Sequence, residues 1–306
     1  MPGSPIPIRP GPRSLVIARV GHKSLHRTWT DAGRPRPWDL YLSPFQALPP
    51  ESGPGLIQGE VIPGPKWTGL REILTTWDGW RQYDYVWLPD DDIFASQDTI
   101  TQLFETGHKL GFELFAPALH EGSFYEHYST MRNRSFHARS VGFVEIMVPC
   151  FRRETLERLL ATFDLTKTGW GWGLDPVWAK LLDYRGVGII DAVPVVHTRP
   201  VGQLRDPRQQ HEVVAEGIRT MAQFDCEPRH TVFSAYGPDL QPLDLEGDRL
   251  LVAAVAGWDY LFAEKPAVLR SIVAQQAFLR LAGRMEPQGG GDAPDLGTRS
   301  AQAAGS

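Results

Sequence analysis

Three consecutive carboxylates, Asp90, Asp91 and Asp92, follow the apolar run YDYVWLP at the point where a buried strand would leave the core. Adjacent like charges repel, by about 1 kcal/mol per contact in water and about 4 at an effective dielectric near 20. The segment therefore calls for positive charge. Hard oxygen donors spaced as Asp90 and Asp92, with Asp91 between them, suit Mg²⁺ or Mn²⁺, and such a cation would neutralise a diphosphate. A solvated turn that caps the next helix is the alternative for the same residues. A further carboxylate, Glu145, stands inside the apolar stretch GFVEIMV, where burial is costly unless the group is paired; Arg139 or Arg134 could pair with it. Asp175, in TGWGWGLDP, precedes Pro176 and reads as a helix N-cap with Pro at N1. A carboxylate there is kept ionised by the helix dipole, which is the state a base needs. Most of the ten tryptophans must be core, Trp77, Trp87 and Trp178 among them, but Trp170 and Trp172 are flanked by glycines and present flat faces with an N–H, suited to sugar stacking.

The elements that must hold these groups follow from periodicity and punctuation. SLVIARVG (Ser14 to Gly21) and WDLYLSPF (Trp38 to Phe45) are short apolar runs bounded by Gly, Pro and Ser, as buried strands are. Leu70, Ile73, Leu74 and Trp77 make a helical stripe. After the strand that ends at the aspartates, Ser96 can cap a helix carrying Ile100, Leu103 and Phe104 and closed by Gly111. FELFAPAL and VGFVEIMVPCF (Val141 to Phe151) read as strands, with a long polar loop from His120 to Arg139 between them. A helix with Leu156, Leu159, Leu160 and Phe163, a second helix from Pro176 and the strand GIIDAVPVVH, ending at His197, complete the alternation. It implies an α/β layered domain with a mainly parallel sheet over residues 14–204. Residues 205–284 read as a helical extension, with Leu269, Ile272, Val273 and Leu279 on one face. Residues 1–13 and 285–306, rich in Pro, Gly and small or polar side chains, are expected to be disordered.

Bulk composition narrows the partners. The chain has 306 residues and a formal net charge of -5, with no basic block, so nucleic acid is not an expected partner. Its two cysteines, Cys150 and Cys226, lie far apart and form no metal-ligand spacing, which fits a reducing compartment. The proline-broken N-terminus lacks the apolar core of a secretory signal. The apolar stretch LLVAAVAGW is about half the roughly 20 residues of a membrane span. A soluble, cytoplasmic protein without a transmembrane segment is expected.

Taken in order, LVIARVGHKSLH, YDYVWLPDDDI, GFVEIMVPCF and GWGLD followed by VVHTRPVG resemble a glycosyltransferase-like domain-of-unknown-function family within the glycosyltransferases of GT-A fold. The resemblance covers residues 14–202 and not the C-terminal helices. It implies a Rossmann-like α/β fold and a divalent cation, Mn²⁺ or Mg²⁺, held by Asp90 and Asp92 against the diphosphate of a nucleotide-sugar, with His197 completing the metal shell. TGWGWGLDP resembles the G-W-G-x-D segment of inverting galactosyltransferases, which implies Asp175 as general base and Trp170 and Trp172 packed on acceptor and donor sugars; Leu174 stands where those enzymes often carry a second acid. By the same resemblance Arg19 and Val20 cradle the nucleotide base, Asp39 takes ribose or base, and Lys66 in GPKWTGL meets the diphosphate. Asp91 belongs to the same diphosphate end, and Arg132 or Arg134 could cover the phosphates by bidentate contact. Glu145, if unpaired, faces the sugar as a second candidate catalytic carboxylate. The expected activity is transfer of a sugar to a carbohydrate or other hydroxyl acceptor, with inversion. The rival expectations are a nucleotidyltransferase or phosphohydrolase using the same acidic cluster, and a carbohydrate-binding protein without turnover.

Overall fold

The computed structural model describes residues 11–203, 205–265 and 267–281, so the expected disordered ends lie outside it except for residues 11–13. Ten strands form one sheet. β1 (Ser14–Val20), β2 (Trp38–Pro44), β3 (Leu56–Gln58) and β4 (Tyr85–Trp87) come first. They are followed by β5 (Ile93–Phe94), β6 (Leu114–Leu119), β7 (Ala138–Val141), β8 (Cys150–Arg152), β9 (Val187–His197) and β10 (Val232–Tyr236). The order is β10-β7-β9-β6-β8-β4-β1-β2-β3, with β5 pairing on β9. On that path β7 and β8 alone run against the others, so the sheet is mostly parallel.

All seven residues of β1 are buried, as a strand with parallel neighbours on both sides and covered faces requires. The chain runs from β1 outward through β2 and β3, then returns through α1 (Lys66–Thr76) to β4 on the other side of β1. Strand order reverses there, and in open α/β sheets such a reversal opens a crevice at the carboxyl ends of the strands. Leu70, Ile73 and Leu74 face the core as the stripe demands, while Trp77 caps α1 and packs on Tyr41 at 4.5 Å between ring centroids. Ser96 caps α2 (Gln97–Lys109), its hydroxyl accepting from the Thr99 amide at 3.1 Å.

The stretch expected as one strand from Val141 to Phe151 is two short strands joined by a buried loop, residues 142–149. Phe143, Val144, Met147 and Val148 are buried by packing, not by strand pairing, and the loop's carbonyls are spent elsewhere. Pro149 accepts from the Leu88 amide (2.9 Å), Val148 from the Trp87 indole (2.9 Å) and Met147 from the Asp90 amide (2.9 Å). An apolar run has the same composition in either setting. The second helix after the Gly/Trp segment, α4 (Leu174–Leu181), begins two residues before Pro176, with Gly173 as its cap at φ 87°. Asp175 thus lies inside the first turn and is not the N-cap expected of it. α3 (Arg153–Leu159) precedes it but is shorter than expected, since Leu160 and Phe163 lie in the 3-10 helix Leu160–Leu165 that follows.

The C-terminal region contains α5 (Pro207–Gln223), α6 (Gly247–Gly257), α7 (Asp259–Glu264) and α8 (Ala267–Leu281), and it also lends β10 to the sheet. On α8, Val268 and Ile272 face inward while Leu269 and Val273 are exposed, so the inward stripe is offset from the expected one; the side chain of Leu279 is outside the described set. Where this region packs on the rest of the chain, Trp258 covers a fully buried ion pair between β7 and β9. Arg139 Nε is 3.0 Å from Asp191 Oδ2, both side chains having no exposed surface. Arg139 also donates to the carbonyls of Ser129 (2.7 Å) and Met131 (2.8 Å), Asp191 accepts from the Asn133 amide (2.7 Å), and Trp258 lies over the guanidinium at 4.8 Å. Among the described residues no helix is long and apolar enough to cross a membrane.

Removing one partner of such a pair strands a buried charge, at a cost of about 3–5 kcal/mol. Asp191→Ala should lower the urea midpoint accordingly, and the double change Arg139→Met with Asp191→Leu should recover most of the loss. Equal stability of the two variants would show that the pair carries no such energy.

Candidate functional site

A cavity of about 620 Å³ opens at the carboxyl edge of the sheet, where the strand order reverses. Asp90, Asp92 and His197 stand at one end of it, each offering one ligand atom, all within 4.8 Å of one another. Register explains the meeting: Ile93 pairs with His197 between β5 and β9, which brings Asp92 beside the imidazole, Nε2 to Oδ2 3.1 Å. His197 Nδ1 faces the Phe124 carbonyl at 2.8 Å, which orients the ring and leaves Nε2 to the carboxylates. Burial alone would lower the His197 pKa, but Asp92 and Asp90 outweigh it and raise it; the same imidazole, with Arg199, holds Asp92 below its usual value against the pull of burial. Two carboxylates and an imidazole are a donor set that fits Mn²⁺ or Mg²⁺, the nitrogen favouring the former.

Two cations serve the three aspartates. Lys66, the first residue of α1, sets its ammonium 2.7 Å from Asp90 Oδ1 and donates to the carbonyls of Ile146 (2.8 Å) and Met147 (3.0 Å). Burial lowers the Lys66 pKa, and the three aspartates oppose the shift. Arg199 pairs with Asp91 and, through Nε at 3.1 Å, with Asp92. Asp91 turns away from the ligand triad toward Arg199 and the Ser24 hydroxyl, 2.7 Å from its Oδ2.

Across the cavity Asp175 is 7% exposed. Burial pushes its pKa up to about 7, while the backbone amides of Asp175, Ile146 and Gly173 pull it down. The expected dipole-ionised base is thus a base poised near neutrality, because desolvation outweighs the helix terminus. Glu145, equally buried, has no ion pair among the described residues: Arg139 is engaged by Asp191, and Arg134 by Glu121 and Asp259. Burial first, then Asp175, raises the Glu145 pKa to about 8.

Trp170 and Trp172 line the cavity beside Asp175. Gly169, Gly171 and Gly173 alternate with them at φ 76°, 82° and 87°, so the backbone folds back at every second residue. At Gly171 an added Cβ would sit 2.3 Å from Trp67 Cδ1. The turn before them is held by a residue that sequence reasoning missed. Glu216 of α5 accepts from the amides of Lys167 (2.7 Å) and Thr168 (2.9 Å) and from the hydroxyls of Thr166 (3.0 Å) and Thr168 (2.7 Å).

The remaining candidates divide. Arg19 lines the cavity, its guanidinium bound to Ser43 Oγ (2.7 Å) and to the Ile62 and Gly64 carbonyls (2.5 and 3.2 Å); Val20, next to it, is core. Asp39 is the second residue of β2, at the amino end of the strand and so at the far edge of the sheet, where it accepts from the Tyr83 hydroxyl at 2.8 Å. Arg132 and Arg134 do not line the cavity. Their loop is pinned to the C-terminal helices, with Tyr260 donating to the Arg132 carbonyl (2.7 Å) and the Arg134 guanidinium 4.5 Å from the Tyr260 ring. Besides Arg19, the arginines that line the cavity are Arg199 and Arg205, the latter 4.9 Å from the Trp170 ring and 5.1 Å from that of Trp172. The signal for Arg199 was its place two residues after His197 in VVHTRP.

A carboxyl group whose folded pKa lies above its unfolded value binds more protons in the folded state between the two pKa values, so stability falls as pH rises through that window. For Glu145 the window runs from about 4.5 to about 8. Glu145→Gln should match the parent at pH 4.5 and exceed it at pH 8.5 by on the order of 5 kcal/mol; parallel pH profiles of unfolding in the two proteins would contradict the assignment.

No family model and no curated protein sequence matches the chain. Solved structures similar to it include S. aureus TarS 1–349 in complex with UDP-GlcNAc, with TM-score 0.46 and 10% identity over 71% of this chain and 68% of that one. The same TarS segment in complex with UDP gives TM-score 0.45 and 10% identity over 71% and 67%. GalNAc-T7 with UDP, GalNAc and Mn²⁺ gives TM-score 0.46 and 11% identity over 71% of this chain and 55% of that one.

Proposed function

We propose that the chain is a divalent-cation-dependent, inverting glycosyltransferase of the GT-A type, moving a sugar from a nucleoside diphosphate to an acceptor hydroxyl. The observation that supports this reading is one cavity with a cation-ready triad at one end and a buried carboxylate of pKa about 7 beside two tryptophans at the other. Asp90, Asp92 and His197 would hold the cation, whose charge offsets that of a departing diphosphate. Lys66 adds a fixed ammonium at the same end, preorganised by two carbonyls and by the start of α1. Asp175 accepts the proton of the acceptor hydroxyl as that oxygen attacks the anomeric carbon, and a pKa near the working pH makes it an effective acceptor. Trp170 and Trp172 orient the sugars by stacking and exclude water from the attacking side.

The reading is tested by thermal shift with UDP, GDP, CDP and their sugar conjugates, with and without Mn²⁺. One nucleoside diphosphate should stabilise the protein only when the cation is present, by about 2.7 kcal/mol at a hundred times its Kd. Asp92→Asn should abolish the cation dependence, and Asp175→Asn should keep binding while transfer falls about 10²- to 10⁴-fold. Unchanged transfer by Asp92→Asn in added Mn²⁺ would sink the metal assignment. Because His197 carries a raised pKa and must present a bare Nε2 to a metal, Mn²⁺ should bind more weakly as pH falls through that pKa, measurable by calorimetry at pH 8 and pH 6.

A further inference from the structure

The loop 142–149 joins the two ends of the cavity through three residues. Lys66 donates to the Ile146 and Met147 carbonyls, and the Asp90 amide donates to Met147. The Ile146 amide supports Asp175. The one ionisable side chain of this segment, Glu145, takes no part in that network. It lines the cavity, is 7% exposed, and its Oε2 has no hydrogen-bond partner. A buried polar atom without a partner costs stability, and a hydroxyl of a ligand in the cavity would supply one.

The charges that bear on Glu145 are Asp175 from α4, His197 from β9, Asp90 after β4 and Glu126 from the long loop. Three of the four are acids, and with burial they keep the carboxyl group neutral near pH 7. A neutral carboxyl can both donate and accept, like the hydroxyl of a sugar. On the proposed reading the diphosphate lies at Asp90 and Lys66 and the acceptor oxygen at Asp175, so the transferred sugar ring lies between them, where Glu145 is. We infer that Glu145 hydrogen-bonds a ring hydroxyl of the transferred sugar and selects donors that carry this hydroxyl over their deoxy counterparts. A site built to bond a hydroxyl rejects the analogue that lacks it, since its own polar group is then left unpaired. This assignment rests on the nucleotide-sugar reading and adds the residue that reads the sugar.

Calorimetry in Mn²⁺ at pH 7 on the full chain tests it, with UDP and UDP-glucose, and GDP and GDP-mannose, as paired probes against the parent protein, Glu145→Gln and Glu145→Ala. In the parent, one sugar conjugate should bind more tightly than its bare diphosphate. Glu145→Ala should weaken that conjugate about ten-fold, the order expected of one buried hydrogen bond, and leave the Kd of the bare diphosphate unchanged, which also certifies a folded site. Glu145→Gln, a neutral group of the same shape, should retain most of the gain. If the conjugate's advantage survives in Glu145→Ala, or if bare diphosphate and conjugate weaken together, the inference is wrong while the glycosyltransferase reading stands. A parent protein that binds neither these four probes nor CDP and its sugar conjugates overturns both.

Discussion

Three acidic side chains in a row at the mouth of a sheet set the terms for everything around them. Left alone, each pair would repel by several kcal/mol at the dielectric of a half-buried site. The fold answers with a basic side chain beside each carboxylate: Lys66 from the start of α1 for Asp90, the His197 imidazole from the end of β9 for Asp92, and Arg199, just beyond, shared by Asp91 and Asp92. These side chains come from elements that are neighbours only because the strand order reverses at β1 and β4 and because β5 pairs with the end of β9. Charge balance and topology are thus one requirement. A sheet wound otherwise would leave the aspartates unmatched.

Burial acts on every carboxylate of the cavity, and the neighbours decide how far it prevails. At Asp92 the His197 and Arg199 partners outweigh desolvation and lower the pKa, whereas at Asp90 desolvation prevails over Lys66 and raises it. At Asp175 and Glu145 no cation is supplied, and desolvation wins, lifting both toward or past neutrality. Carboxylates of one cavity are in this way assigned different protonation states by their surroundings, the condition under which acid, base and electrostatic roles can coexist at a single pH.

Much of this was legible in the residues alone, for identifiable reasons. β1, β2, α1, α2 and β9 carry clear periodicity and punctuation, and the structure has them. The aspartates, Lys66, His197, Asp175, Glu145 and the two tryptophans do converge on one cavity. Asp39 illustrates what a strand cannot say about itself: which residues reach the carboxyl edge depends on where the strand starts, and Asp39 is its second residue. The apolar composition of 141–151 could not distinguish a paired strand from a loop buried by packing. The partner of Arg139 was hidden because Asp191 lies 52 residues away within an apolar strand; the nearer carboxylate, Glu145, was the natural but incorrect choice. Glu216 had no signature at all, since its partners are two backbone amides and two threonine hydroxyls.

The position of Glu216 along the chain has a consequence for biosynthesis. Every motif that resembles a sugar-transfer site is complete by residue 202, yet the turn that aims Trp170 is held from α5, and the sheet gains its last edge strand only at Val232–Tyr236. The covering ring over Arg139 comes later still, with Trp258. A nascent chain that has emerged only as far as the last motif therefore holds most of the cavity's candidate residues and lacks the supports that α5, β10 and Trp258 add. Those supports come from the final third of the polypeptide.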